Sequence, residues 1–298
     1  MTRPTIAVFT KNRLNPAYHA ARLGADRVAE RMGATTVHYV PQRPDNVDEQ
    51  RLLVDEALAA RPSAAVFVPV HGTLMDDWAH KLTAAGVPVF NMINQLDRAD
   101  DYVTYVGSDN HRLAALTGAF LYRAMGGRGD VVILEGTPGT ITSRERLRGF
   151  EDAAQAWPGI RIVGSREGMF LFEKGRLAMQ ALLADLPRID GVAATNDSMA
   201  LGALEALDAA ARHAHVVGIN AIPDAVAAIK AGRLLASADF DAMKISCIAT
   251  EAALRHLRGE AVPKEILLPV QVVHRGNCAQ YDLSLEAREA PSWESVVR

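Results

Sequence analysis

Short apolar, β-branched runs alternate with helix-length segments almost from one end of this chain to the other, and few architectures accept that order. Strand candidates fall at 6–9, 36–40, 65–69, 88–92, 131–135, 191–195, 216–219 and 234–238. Between them, apolar residues recur at helical spacing over 17–32, 47–60, 112–125, 144–157 and 197–211. Such alternation predicts parallel sheets covered by helices on both faces. The strands are continuous apolar runs, as burial on both faces requires.

The pattern runs twice. Five strand–helix steps end near 103–107, and a second set begins at Val131. The remainder from Asp241 supplies one long helix and a strand at 266–273, too little for a third core. The expectation is therefore α/β: two doubly wound parallel-sheet domains, 1–108 plus 241–269 and 109–240 plus 270–298. Three short crossovers, near Ser108, near Asp239 and at 270–274, would form a hinge that permits closure.

Charge removes several function classes. The net charge is −3 with both signs interspersed, so the basic footprint of a nucleic-acid or anionic-membrane partner is missing. No apolar run reaches the roughly 18–20 residues of a membrane-spanning helix. Met1-Thr2-Arg3-Pro4 leads straight into a strand, without the pattern of an export signal. Cys247 and Cys278 form no CxxC pair; Cys247 sits in an apolar helical stretch that suits a buried thiol, and a disulfide between the two stays open.

Nor do motifs for chemistry occur. Thr10-Lys11-Asn12-Arg13-Leu14-Asn15-Pro16 follows the first strand where GxGxxG would stand, and GxxxxGK[ST], GxSxG and HExxH are absent. The nine histidines are scattered, and His213/His215 read as a solvated helix end, not a metal site. The expectation is a protein that is no enzyme and holds neither cofactor nor metal.

Ligands of open α/β sheets bind outside the carboxyl ends of the strands. Those ends carry Lys11, Asn12 and Asn15; Asn91, Asn94 and Gln95; Thr137, Ser143 and Arg144; Asn196 and Asp197; Asn220; and Asp239. Asparagine dominates, and its amide both donates and accepts, as ligand hydroxyls do. The competing reading is that such residues cap helices and fill turns. Tyr18, at a helix start, and Phe170, in a loop, could stack on the apolar face of a sugar ring; Phe172 reads better as core.

Several stretches together resemble the ribose-type periplasmic binding proteins of ABC importers. They are the first strand with Asn15-Pro16-Ala17-Tyr18, Ser108-Asp109-Asn110, Gly139-Thr140 with Ser143-Arg144-Glu145-Arg146 and Gly149-Phe150, Thr195-Asn196-Asp197-Ser198-Met199-Ala200-Leu201-Gly202-Ala203, and Val216-Val217-Gly218-Ile219-Asn220. The resemblance spans nearly the whole chain and implies the type I periplasmic binding fold. It implies a solute-binding protein that closes on a small neutral sugar or polyol in an interdomain cleft and delivers it to a membrane permease. It further implies a monomer in the periplasm, with the export signal outside this sequence. Lys11, Asn12, Asn15, Tyr18, Asn94, Arg144, Phe170, Asn196, Asn220 and Asp239 are the expected ligand contacts, Arg144 as the first arginine of its helix. Ile93-Asn94 replaces the family's Asp-Arg, Asn220 its aspartate, Phe240 a common glutamine and Ala17 a stacking aromatic, which puts ribose itself in doubt. The alternative is the sensing core of a lactose-repressor-type regulator, whose DNA-binding headpiece of roughly 60 residues has no room before the first strand.

Overall fold

The computed structural model describes residues 3–281 and 283–297. The chain falls into two compact units, Met1–Ser108 with Asp241–Leu268 and Ser284–Arg298, and Asp109–Phe240 with Pro269–Leu283. The first opens with β1 (Thr5–Phe9), α1 (Pro16–Arg31), β2 (Thr35–Tyr39), α2 (Val47–Ala60), β3 (Ala64–Phe67), α3 (Gly72–Ala84), β4 (Val89–Met92) and β5 (Thr104–Ser108). The second follows with α4 (Asn110–Ala124), β6 (Arg128–Glu135), α5 (Ile141–Gln155), β7 (Gly159–Glu167), α6 (Phe172–Asp185), β8 (Gly191–Ala194), α7 (Asp197–Ala209), β9 (His215–Ile219), α8 (Pro223–Lys230) and β10 (Ala236–Asp239). The chain then returns to the first unit for α9 (Ala242–Leu257) and β11 (Glu265–Leu268), and β12 (Gln271–His274) completes the second.

Each unit has a six-stranded sheet, ordered β11-β5-β4-β3-β1-β2 in the first and β12-β10-β9-β8-β6-β7 in the second. All pairings are parallel except β10–β12, an antiparallel edge. Every residue of β3, β4 and β8 is buried, which explains why the apolar runs do not alternate. β7 was not among the sequence candidates because it is an edge strand carrying Arg161, Arg166 and Glu167. The single strand expected at 266–273 is two strands, one in each unit. Pro269 has no N–H to give to a ladder, and the chain breaks there.

Helix starts are built by side-chain caps. Asn15, Asn46, Asp109, Thr140, Asn196 and Asp241 each accept a hydrogen bond from a first-turn amide. Each cap satisfies a donor that the helix cannot pair, worth about 1 kcal/mol. Apolar faces then fill the two cores. In the first unit Phe9 stacks on Tyr39 at 4.9 Å and meets Phe67 at 5.0 Å. In the second, Val132 and Leu134 pack with Met179, Leu182, Met199 and Leu204.

The C-terminal segment corrects the expected boundaries, since Ser284–Arg298 belongs with the first unit. Arg27 of α1 donates to the carbonyl oxygens of Glu286 and Arg288, and Arg255 of α9 pairs with Glu294 at 2.9 Å beneath Trp293. The chain thus passes between units a fourth time, after Leu283. Both cysteines are free and buried, Cys247 in the first unit and Cys278 in the second. Burial pushes the Cys247 thiol up to about 12, so it stays protonated at neutral pH.

Helix contacts in the second unit depend on glycine. A Cβ at Gly149 of α5 would lie 2.3 Å from the carbonyl oxygen of His111 in α4. Gly149→Ala must push the two helices apart, and a loss of about 1–3 kcal/mol of unfolding free energy in urea is expected.

Candidate functional site

In a parallel sheet all carboxyl ends share one edge, and in each unit several residues at that edge depart from ordinary conformations. Non-glycine residues at positive φ occur at Asp45 and Ile93 in the first unit, and at Met169, Phe170, Asn220 and Ala221 in the second. All of them follow a strand. Each costs on the order of 1–3 kcal/mol and persists only where its surroundings hold it.

In the first unit the loop after β1 is tied to the loop after β2. Lys11 is buried, with Nζ 3.5 Å from Asp45 Oδ2, and Asn12 Nδ2 donates to Asp45 Oδ1 at 2.8 Å. Asn12 Oδ1 also accepts from the Asn15 amide at 2.9 Å, while Asn15 caps α1 through Ala17 N. Tyr18 donates its hydroxyl to Asn94 Oδ1 at 3.4 Å. Asn94 follows Ile93, whose carbonyl is held by the Tyr105 hydroxyl at 3.0 Å. Asn91 acts as a brace: its Nδ2 donates to the Phe67 and Asn94 carbonyls and its Oδ1 accepts from Leu96 N. The structure therefore brings Lys11, Asn12, Asn15, Tyr18 and Asn94 to one sheet edge and adds Asp45, which sequence reading passed over.

The second unit departs from expectation at its arginine. Arg144 has a side chain 60% exposed and lies beside Glu145. Arg146, 4% exposed, is the arginine that reaches the strand ends. Its Nε donates to Asn110 Oδ1 at 2.9 Å, and its Nη1 donates to the Thr195 carbonyl at 2.7 Å and to Asn220 Oδ1 at 3.5 Å. The guanidinium also lies 5.6 Å from the Phe240 ring centroid. A signal for this existed: the buried stripe of α5 is Thr142, Ser143, Arg146, Gly149 and Phe150. Arg144 is two residues from Arg146, which at 3.6 residues per turn turns it to the opposite face.

Asn196 is 1% exposed and acts as a cap and a brace. Its Oδ1 accepts from Met199 N at 3.0 Å and its Nδ2 donates to the Phe170 carbonyl at 2.9 Å. That bond holds Phe170 at φ 60°, with its ring where a Cβ on Gly136 would otherwise stand. Asp239 accepts from the Tyr281 hydroxyl at 2.7 Å. Asp197, wholly buried, accepts from Ser237 Oγ at 2.6 Å and Ile222 N at 2.9 Å.

What the carboxyl edge of each sheet offers is hydrogen bonding: amides, a lysine, a tyrosine and the Asp45 carboxylate in the first unit, and amides, a guanidinium, an aromatic ring and the Asp197 and Asp239 carboxylates in the second. Among the described residues, no group of three or more His, Cys, Asp and Glu side chains could hold a metal. A separate cavity of about 400 Å³, lined by Arg128, Arg188, Asp190, His213 and His215, opens where β6, β8 and β9 begin, at the opposite edge. Helices end there, and helix carboxyl ends present carbonyl oxygens rather than donors.

Comparison with known proteins identifies the family. The family described as "Periplasmic binding protein domain" matches residues 6–261, and the chain belongs to that family. The D-ribose/D-allose-binding protein of Pseudomonas aeruginosa is 31% identical over 91% of this chain and 89% of its own. The ribose import binding protein of Bacillus subtilis is 29% identical over 90% and 86%. An ABC transporter periplasmic solute binding protein from Actinobacillus succinogenes, solved with bound D-allose, superposes with a TM-score of 0.88 at 28% identity, covering 94% of this chain and all of that one. A solute binding protein from Mycobacterium smegmatis with bound glycerol gives 0.89 at 26% identity, over 97% and 100%. The fold is the type I periplasmic binding fold.

The bracing role of Asn196 has a measurable consequence. Asn196→Ala removes a cap and frees the Phe170 loop, and a loss of about 1–2 kcal/mol of stability is expected in urea titrations without ligand. An unchanged midpoint would assign the residue to ligand contact alone.

Proposed function

We propose that this protein is the solute-binding component of an ABC-type importer, capturing a small neutral sugar or polyol by hinge closure and performing no reaction on it. The observation that carries the reading is Arg146. A buried guanidinium is held by the neutral oxygens of Asn110, Thr195 and Asn220 at the carboxyl edge of the sheet, beside Phe240. It is oriented to donate, and the neighbouring amides can both donate and accept. Vicinal hydroxyls are what such a set satisfies, and aromatic rings suit the apolar face of a sugar.

In this reading the ligand takes groups from both units: Lys11, Asn12, Asn15, Tyr18 and Asn94 from the first, and Arg146, Phe170, Asn196, Asn220 and Asp239 from the second. A ligand touched by both favours the closed form, because only a difference in interaction between two states can shift their balance. The protein works as a monomer in the periplasm with a membrane permease as partner and no nucleic acid. Its relatives above are named as binding proteins, two of them of ABC transporters, which leaves the transcription-regulator reading without support. The losses at Ile93-Asn94 and Asn220 relative to the ribose pattern favour a ligand other than ribose. A carboxylate bridging adjacent hydroxyls is a strong, directional contact, and an amide in its place is weaker.

A thermal-shift panel of pentoses, hexoses, inositols and glycerol tests this. At least one should raise the melting temperature, the rise growing with the logarithm of its concentration above Kd, and be recovered unaltered by mass spectrometry. Arg146→Ala should weaken that ligand by about 1–3 kcal/mol, and Arg144→Ala by less than about 0.5 kcal/mol. A chemically altered ligand, or the reverse order of the two arginines, would contradict the proposal.

A further inference from the structure

The cavity where β6, β8 and β9 begin has no part in the binding reading, and its lining is basic in a chain whose net charge is −3. It encloses about 400 Å³ and takes side chains from three helix-to-strand connections: Arg128 after α4, Arg188 and Asp190 after α6, and His213 and His215 after α7. Asp190 is the fixed point of this wall. Its amide donates to the Asp130 carbonyl at 2.7 Å, and its Oδ2 accepts the Asp130 amide at 2.7 Å. Its carbonyl accepts from the His215 amide at 2.9 Å. Gly129, at φ 133°, admits this approach, since a Cβ there would lie 2.8 Å from Asp190 Oδ2.

The donors around this fixed point are uncommitted. Asp190 grips Arg188 by one nitrogen only, with Nε 2.9 Å from Oδ1 and 2.8 Å from Oδ2. Both terminal nitrogens of that guanidinium are left without a hydrogen-bond partner among the described residues. Among the same residues the side chains of Arg128, His213 and His215 make neither a hydrogen bond nor an ion pair. Asp130 does not neutralise them, being paired with Arg161 at 2.6 Å. Helix ends do not absorb them either. At the end of α6 that task falls to Arg212, which donates to the carbonyl oxygens of Leu183, Leu186 and Pro187.

We propose that this cavity is a second binding site, for a phosphate monoester group, at the edge of the sheet opposite the sugar-binding residues and independent of them. Donor counting selects the group. Arg128 and Arg188 present planar forks that match oxyanions, and an imidazole offers at least one N–H in either protonation state. A carboxylate brings two oxygens and one charge to such a set; a phosphate monoester brings three oxygens and nearly twice the charge. Met125 and Ala214 give the carbon body of the ester an apolar wall. A soluble sugar or glycerol phosphate carries this group, and so does phosphatidic acid at a membrane surface.

The test titrates the full chain with glycerol 3-phosphate at fixed ionic strength, following backbone amides and arginine Nε by NMR. Signals of Arg128, Arg188 and His215 should move with a Kd below about 1 mM. Arg128→Gln removes a guanidinium that holds nothing in the fold, and it should weaken binding about tenfold or more. Arg161→Gln removes a neighbouring charge outside the cavity and should change affinity by less than about twofold. Sedimentation with vesicles of phosphatidic acid in phosphatidylcholine, against phosphatidylcholine alone, separates the sources. Vesicle binding that Arg128→Gln abolishes, without a response to glycerol 3-phosphate, assigns the membrane; the reverse assigns a solute, and both together support the shared group. No binding in either arm, equal shifts with sodium chloride, or Arg161→Gln as damaging as Arg128→Gln overturns the proposal. Failure of every sugar in the thermal-shift panel would count against the function proposed above and leave this result standing.

Discussion

The candidate site of this protein depends on how the chain leaves its parallel strands. A parallel sheet must turn each strand into a helix that runs back along a face, so its carboxyl edge collects every strand-to-helix loop. Several of these loops hold non-glycine residues at positive φ, Ile93 and Asn220 among them. Such conformations survive because buried side chains hold the backbone in place. Asn91 ties the turn after β4 to the end of β3, Asn196 ties Phe170, and Asp197 with Ser237 ties 220–222. These braces hold the backbone of the edge in each unit, and the polar groups beside them are positioned by those bonds.

That arrangement separates two kinds of asparagine that look alike in sequence. Asn91 and Asn196 spend their amides on backbone groups nearby. Asn110, Asn94 and Asn220 meet side chains: Arg146 for the first and last, Tyr18 for the other. The first kind fixes loop conformation, and the second kind engages other side chains beside the strand ends. Asn91, Asn94, Asn196 and Asn220 were among the strand-end candidates of the sequence, and Asn110 was not.

The layered architecture was legible because buried parallel strands leave an unmistakable apolar signature, as in β3 and β8. Edge elements were not: β7 is half polar, and the final segment docks through Arg27 and Arg255, whose partners lie hundreds of residues away or in irregular chain. The choice between Arg144 and Arg146 could have been made from helical phase alone, since Gly149 and Phe150 mark the inward stripe and only Arg146 shares it. Asp45 lay beyond any local signal. Its role comes from the pairing of β1 with β2, which sets their following loops side by side.

A crystal structure with the ligand that gives the largest thermal shift tests the central claim most directly. The account predicts one sugar or polyol hydrogen-bonded by Arg146 and Asn220 from the second unit and by Lys11 or Asn94 from the first, with Asp197 and Asn91 unmoved behind them. A ligand held by a single unit, or seated among Arg128, Arg188 and His215 at the opposite edge, would contradict it.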